Sequence, residues 1–188
     1  MKVLVACEFS GVVRSAFRAR GHDAWSCDLL PAEDHSPFHV QCDVRALWPH
    51  WDLLIAFPPC THLCVSGARW FASRQAEQEA ALAFVRWLLQ SPTPRVAIEN
   101  PIGVISTRIR KPDQIVQPWW FGHGETKATC LWLRNLPPLR PTRVVDGRVP
   151  RVHHAAPSPD RWRERSRTLP GIAAAMAEQW SDGPVSNN

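Results

Sequence analysis

The chain has 188 residues, 45% of them hydrophobic and 21% charged, with a formal net charge of +5. That length suits one domain with its own core, and the balance is that of a globular chain rather than a disordered or fibrous one. No run approaches the roughly 20 apolar residues of a membrane span, and the N-terminus lacks the charged and apolar regions of a signal peptide, so a cytoplasmic protein is expected.

In chain order, Lys2 to Cys7 reads as a strand, Ser10 as a helix N-cap, and Val13 to Arg20 as a helix that Gly21 stops. Such a turn leaves helix-start amides free to meet an anion or carboxylate. Asp28 follows a second strand-like run at about the 20-residue spacing of a ribose-binding acid. Trp51 to Phe57 is an apolar run that Pro58-Pro59 cuts short, because proline donates no ladder hydrogen bond. It reads as a central parallel strand that leaves Cys60 at its end, the edge where open α/β sheets bind ligands. Phe71 to Gln90 has helix formers with Ala80, Phe84, Trp87 and Leu88 at helical spacing, and Ser91-Pro92-Thr93-Pro94 breaks it. Arg95 to Pro101 repeats the strand-then-proline pattern and carries Glu99, so a thiol and a carboxylate are expected in one crevice. Lys127 to Leu133 is a further strand. Val144 to Val149 has a hairpin signature in Asp146-Gly147, and Gly171 to Trp180 is a helix. Residues 1–182 are expected to form one domain, followed by a polar tail, 183–188.

The six cysteines, at 7, 27, 42, 60, 64 and 130, mostly lie in apolar runs and read as reduced buried thiols. Cys60 and Cys64 form a C-x3-C pair, but His62 and His153-His154 do not complete a zinc spacing, so no metal is expected. Cys60 is the candidate nucleophile and Cys64 reads as packing. Trp87, Trp119, Trp120 and Trp132, in apolar surroundings, read as core. Residues 108–167 carry 13 Lys and Arg against 5 Asp and Glu, while the remaining residues have 9 against 12. The basic surplus therefore lies in the second half, densest at Arg161, Arg163, Arg165 and Arg167 around Trp162. Such a patch suits a polyphosphate backbone and an aromatic able to stack on a base, the bland reading being a solvated helix face.

Pro58-Pro59-Cys60, followed by Glu99-Asn100, resembles the two signature motifs of the DNA cytosine-5 methyltransferases, and the order of the rest is similar from residue 1 to about 135 and again near Gly171. The resemblance implies an α/β, Rossmann-like, S-adenosylmethionine-dependent methyltransferase fold with a mostly parallel sheet flanked by helices. It implies that Phe9, Ser10, Gly11, Asp28, Asp43 and Pro58 hold S-adenosylmethionine: the first three as a methionine-binding loop, Asp28 at the ribose and Asp43 at the adenine. Val13 and Arg14 depart from the glycines common in that loop, and Arg14 could instead supply a cation. Phe121 to Thr129 resembles a later segment in which Glu125, Lys127 and Thr129 replace Gln, Arg and Arg. Lys127 could still contact the pyrimidine or a phosphate, while Thr129 puts the usual cytosine contact in doubt. About thirty residues between Leu139 and Gly171 leave no room for a large target-recognition domain, as in compact phage and prophage enzymes, so reading a long site would need a partner or second subunit.

The chemistry implied is attack of a Cys60 thiolate on cytosine C6, which makes C5 able to take a methyl group, with Glu99 holding the N3 and 4-amino edge and Asn100, Lys127 and the four arginines on the substrate. A lowered Cys60 pKa is expected from a following helix start or a nearby cation, and a base in a duplex must be flipped out. Two other readings stand beside this one: the same chemistry on a free pyrimidine nucleotide, and a DNA-binding relative that has lost turnover.

Overall fold

The run Leu53–Ala56 is buried at every position, so the sheet that holds it is covered on both faces. The computed structural model describes residues 1–47, 50–151 and 161–181. Its sheet has seven strands: β1 (Lys2–Ala6), β2 (Asp23–Asp28), β3 (His39–Gln41), β4 (Leu53–Ala56), β5 (Arg95–Pro101), β6 (Gln114–Val116) and β7 (Thr129–Arg134). Their order is β3-β2-β1-β4-β5-β7-β6. The first five pair in parallel and β7 runs antiparallel to β5 and β6. The helices are α1 (Val12–Ala19), α2 (Gln75–Leu89), α3 (Ile105–Arg108), α4 (Arg161–Ser166) and α5 (Pro170–Gln179).

Alternation along each strand divides the core in two. Val3, Val5, Leu53 and Ile55 meet Val13 and Phe17 of α1 and Ile172 and Met176 of α5. Leu4, Ala6, Leu54 and Ala56 face the other way, onto Leu82, Val85 and Leu88 of α2. This is the mostly parallel, helix-flanked, Rossmann-like sheet that the sequence implied. Strand order reverses between β1 and β4, which opens a crevice at their C-terminal ends.

Several boundaries move. α2 begins at Gln75, because residues Val65–Trp70 form separate 3-10 turns that Phe71 ends. Asp146-Gly147 turns the chain, with Gly147 at φ 96, but no hairpin forms: Arg143 bridges Phe121 and Val149 bridges Glu125, both parallel. The two arms thus find separate partners. β3 and β6, three residues each, are too short for a period-2 pattern to reveal. Trp132 is fully buried, whereas Trp87, Trp119 and Trp120 are only half-buried, and Arg148 lies 3.8 Å over the Trp119 ring.

The start of α1 differs most from expectation. Gly11, not Ser10, is the N-cap, at φ 70 and without a side-chain cap. The buried Glu8 carboxylate accepts from the amides of Val13 (2.6 Å) and Arg14 (3.2 Å), so these helix-start donors are filled from within. Arg14 folds inward, 1% exposed, donating to Ser26 Oγ at 2.9 Å and pairing with Asp34. Its guanidinium occupies the space a Cβ at residue 11 would need, which together with the left-handed φ requires glycine there.

Burial raises the Glu8 pKa from the usual 4.5 to about 7, against the opposing pull of the two amides and Arg14. A carboxyl with a folded pKa above its unfolded one contributes stability present below the unfolded value and lost as pH rises through the folded one. Urea unfolding is therefore expected to show a loss on the order of 3 kcal/mol between pH 4.5 and 7.5, with the Glu8→Gln variant losing most of that slope; equal slopes in both chains would place the titration elsewhere.

Candidate active site

β4 delivers Cys60 to the crevice because its ladder stops abruptly. The last bond runs from the Phe57 amide to the Ala6 carbonyl, 3.0 Å, after which Pro58 and Pro59 have no N–H to give. The freed Pro58 carbonyl accepts from Asn100 Nδ2 at 2.7 Å, a bond from the buried side chain of the neighbouring strand. The Cys60 carbonyl then accepts from the amides of Leu63 and Cys64, each at 3.0 Å, closing a helix-like turn. That turn is pinned by Gly103, where any Cβ would collide with the Leu63 carbonyl and Cys64 Cα.

The thiol lines a cavity of about 100 Å3 together with Pro58, Glu99, Asn100, Lys127, Thr129 and, from the C-terminal segment, Arg165 and Thr168. Glu99 accepts a hydrogen bond from Thr129 Oγ1. Burial pushes its pKa above the ordinary carboxylate value, while Lys127 and the Thr129 bond pull it down. The Lys127 ammonium is itself spent on the chain, donating to the carbonyls of Arg165 (2.7 Å) and Arg167 (3.2 Å).

Cys64 is buried, in keeping with its reading as packing. The Cys60 pKa is raised, first by a hydrogen bond to Cys64, then by burial and by the Cys64 and Glu99 charges. The Cys64 pKa is lowered, first by its pairing with Cys60, with the Ser66 hydroxyl and the amides of Gly67 and Ser66 adding to it; its Sγ lies 2.9 Å from Ser66 Oγ. It is Cys64, the N-cap of the 3-10 turns Val65–Trp70, that sits at the following helix start.

The cofactor candidates surround the ends of β1 to β3. Phe9 is buried under Trp162, ring centroids 5.8 Å apart. Asp28 is half-buried; burial raises its pKa, and one oxygen accepts from the Leu30 amide at 3.0 Å. Asp43 accepts from the Arg45 amide and pairs with its guanidinium at 2.7 Å; Arg45 holds it below the usual range. Because Glu8 takes the Val13 and Arg14 amides, these two helix-start donors are not free for a phosphate. The donor set fits a nucleoside cofactor without phosphates and not a dinucleotide.

The basic segment is tied down over the crevice. Arg167 makes two hydrogen bonds to Glu33, at 2.8 and 3.0 Å, Arg163 lies 5.3 Å over the Trp162 ring, and Arg161 is half-buried. Of the four arginines, Arg165 alone lines the cavity among the described residues. Gly171 begins α5 so close to the Phe121 carbonyl that a Cβ would overlap it, and its amide donates to His123 Nε2 at 3.0 Å. Among the described residues all six cysteines are free, no group of three or more His, Cys, Asp and Glu could hold a metal ion, and no helix is long and apolar enough to cross a membrane. His153-His154 and the tail 183–188 lie outside the described residues.

No family model matches the sequence, and no curated protein does. The fold is that of solved methyltransferases. The S. pombe Dnmt2 methyltransferase superposes with a TM-score of 0.50 at 15% identity, over 81% of this chain and 53% of that one. A mutant of Spodoptera frugiperda DNMT2 gives 0.46 at 15% identity, over 79% and 54%, and the 16S rRNA methylase RmtB gives 0.39 at 16%, over 70% and 54%. The chain spans about half the length of these structures, and at such identities the likeness is one of fold.

Replacing Asn100 by Ala leaves the Pro58 carbonyl without its donor. A loss of about 1 to 3 kcal/mol is expected in urea unfolding; an unchanged midpoint would show that this carbonyl does not depend on the amide.

Proposed function

We propose that this chain transfers a methyl group from S-adenosylmethionine to C5 of cytosine in DNA, through a covalent bond between Cys60 and C6. The observation that carries the reading is the meeting of the Cys60 thiol with the buried Glu99 carboxyl in one small cavity. That cavity lies at the end of β4, beside the strand ends where Phe9, Gly11 and Asp28 gather.

Each residue has a task its surroundings suit. Glu99, raised by burial, can hold a proton toward N3 of the ring, so that electron density arriving from the sulfur is neutralised rather than left as a buried anion. The Thr129 hydroxyl fixes that carboxyl from one side, and Asn100 fixes the loop that carries Cys60. Cys60 then bonds to C6 and C5 gains enamine character; when the C5 proton is lost, the Cys60–C6 bond breaks and the thiolate leaves. Asp28 would accept the ribose hydroxyls, with Phe9, Ser10, Gly11, Asp43 and Pro58 around the nucleoside, and the bound cofactor supplies an activated methyl group. In a duplex, the base must leave the stack to reach a cavity this enclosed.

A free pyrimidine nucleotide is the second reading, favoured by the C-terminal segment lying across the crevice with Lys127 and Arg167 already paired. Arg163 and Arg165 then decide between a polymer and a small substrate.

In a transfer assay with radiolabelled S-adenosylmethionine, Cys60→Ser is expected to abolish product while leaving cofactor affinity nearly intact, and Glu99→Gln to slow the chemical step strongly, since an amide cannot deliver a proton. Near-normal turnover in the serine variant would sink the mechanism.

Affinity for oligonucleotides should grow with length and fall with salt. The combined Arg163→Ala and Arg165→Ala changes should flatten the slope of log affinity on log salt by roughly 0.9 per lost phosphate contact, for all sequences alike. A mononucleotide binding as tightly as a duplex would favour the small substrate.

A further inference from the structure

The pairing of β5 with β7 sets Glu99 opposite Leu131 and Pro101 opposite Thr129, so Glu99 and Thr129 are diagonal neighbours on one face of the sheet. The Thr129 hydroxyl donates to Glu99 Oε1. Thr129 is buried, its hydroxyl bonds nothing else among the described residues, and a buried hydroxyl left without an acceptor is costly. Its proton is therefore committed to Oε1. The other oxygen, Oε2, is in a different position. Among the described residues the enclosed side-chain atoms without a partner are Arg14 Nε, Asn100 Oδ1 and Arg161 Nε. Glu99 Oε2 has no bond within the described chain and is not one of these, so it is open to the cavity that Glu99 lines. A neutral carboxyl has one oxygen that only accepts and one that donates. With Oε1 accepting from Thr129, the donor is Oε2.

We propose that Thr129 is the positioning residue that places the Glu99 proton on Oε2, facing the substrate, and keeps it transferable. The inference rests on the reading of Glu99 as the acid that meets the pyrimidine ring. As the Cys60 thiolate bonds to C6, the Oε2–H bond breaks and the proton bonds to N3 of the ring. The electron pair of that bond stays on the carboxyl, where the Thr129 hydroxyl, still donating to Oε1, stabilises the new charge. When the Cys60–C6 bond breaks, the proton returns from N3 to Oε2.

Other groups face Glu99, but none distinguishes its two oxygens in this way. The Cys60 thiol faces it from the loop after β4, Cys130 from β7 and Lys127 from just before β7, and Arg165 shares the cavity. Lys127 favours the ionised carboxyl, as Thr129 does, yet its ammonium bonds the carbonyls of Arg165 and Arg167 and not the carboxyl. Its pull acts through space, whereas the hydroxyl acts on one oxygen.

The test needs no turnover: 13C NMR titration of the Glu99 carboxyl in the whole chain, assigned from Glu99→Gln. The hydroxyl bond favours the ionised form, so its loss raises the pKa. In Thr129→Val the Glu99 midpoint should rise by at least about one pH unit, and in Thr129→Ser, which keeps the hydroxyl, it should stay at the wild-type value. Equal midpoints in the wild type and the valine variant overturn the proposal, and so does a rise shared by the serine variant, since packing and not the hydroxyl would then be the cause. The infrared carbonyl stretch of protonated Glu99, taken as the difference between wild type and Glu99→Gln, should lie at the frequency of a hydrogen-bonded carbonyl and move to that of a free one in Thr129→Val. Should the valine variant fail to fold, the wild-type band decides, because a free carbonyl there overturns the proposal by itself. Failure of the methyl-transfer reading would show instead as turnover in Cys60→Ser, which neither measurement touches.

Discussion

One hydrogen bond holds the candidate site together, from Asn100 Nδ2 to the Pro58 carbonyl. Pro58 and Pro59 release β4 from its ladder, and a loop released at the C-terminal edge of a buried strand has carbonyls that must find new donors. A side chain of β5 answers that need, so the position of Cys60 is set by the strand that also carries Glu99. Thiol and carboxyl therefore come as one unit. The antiparallel pairing of β7 adds the third member, because Pro101 opposite Thr129 and Glu99 opposite Leu131 bring the Thr129 hydroxyl onto the Glu99 carboxyl.

Glu99 is drawn partly out of water, and that burial governs its protonation. Taking a carboxyl out of water favours its neutral form, and Glu99 is raised for that reason although Lys127 and Thr129 oppose the change. The same cause acts at Glu8, buried under the first turn. There the consequence is structural: its two oxygens fill the amides that another α/β protein would offer to a phosphate. The two glutamates thus sit at neighbouring strand ends, Glu8 after β1 filling two helix-start amides and Glu99 on β5 facing the cavity.

What was legible in the sequence were the features that repeat over several residues or break a pattern sharply. β1, β4 and β5 announce themselves as apolar runs, and Pro58-Pro59 and Pro101 mark where they end. β3 and β6 are three residues long and carry no period. The N-cap of α1 was misplaced because Ser10 has the right side chain at a reasonable offset, whereas the cap actually used comes from Glu8 across a turn that needs left-handed backbone at Cys7 and Gly11. Asp146-Gly147 was read as a hairpin because local turn chemistry says nothing about where the arms will pair.

The charge surplus of residues 108–167 shows why charge in a sequence is a weaker guide than charge in a fold. Several of its members serve the chain itself, Arg134 among them with bonds to the carbonyls of Leu89, Ser91 and Thr93. Lys127 clips the backbone at Arg165 and Arg167, Arg167 grips Glu33 beside the Phe9 loop, and Arg148 covers Trp119. The segment at Arg165 to Arg167 is thereby fastened on two sides, to Glu33 after β2 and to Lys127 just before β7. Exposed ion pairs are worth little individually, but Lys127 bonds two carbonyls at once, one of those bonds partly buried, so its charge is committed to holding the backbone before any partner arrives.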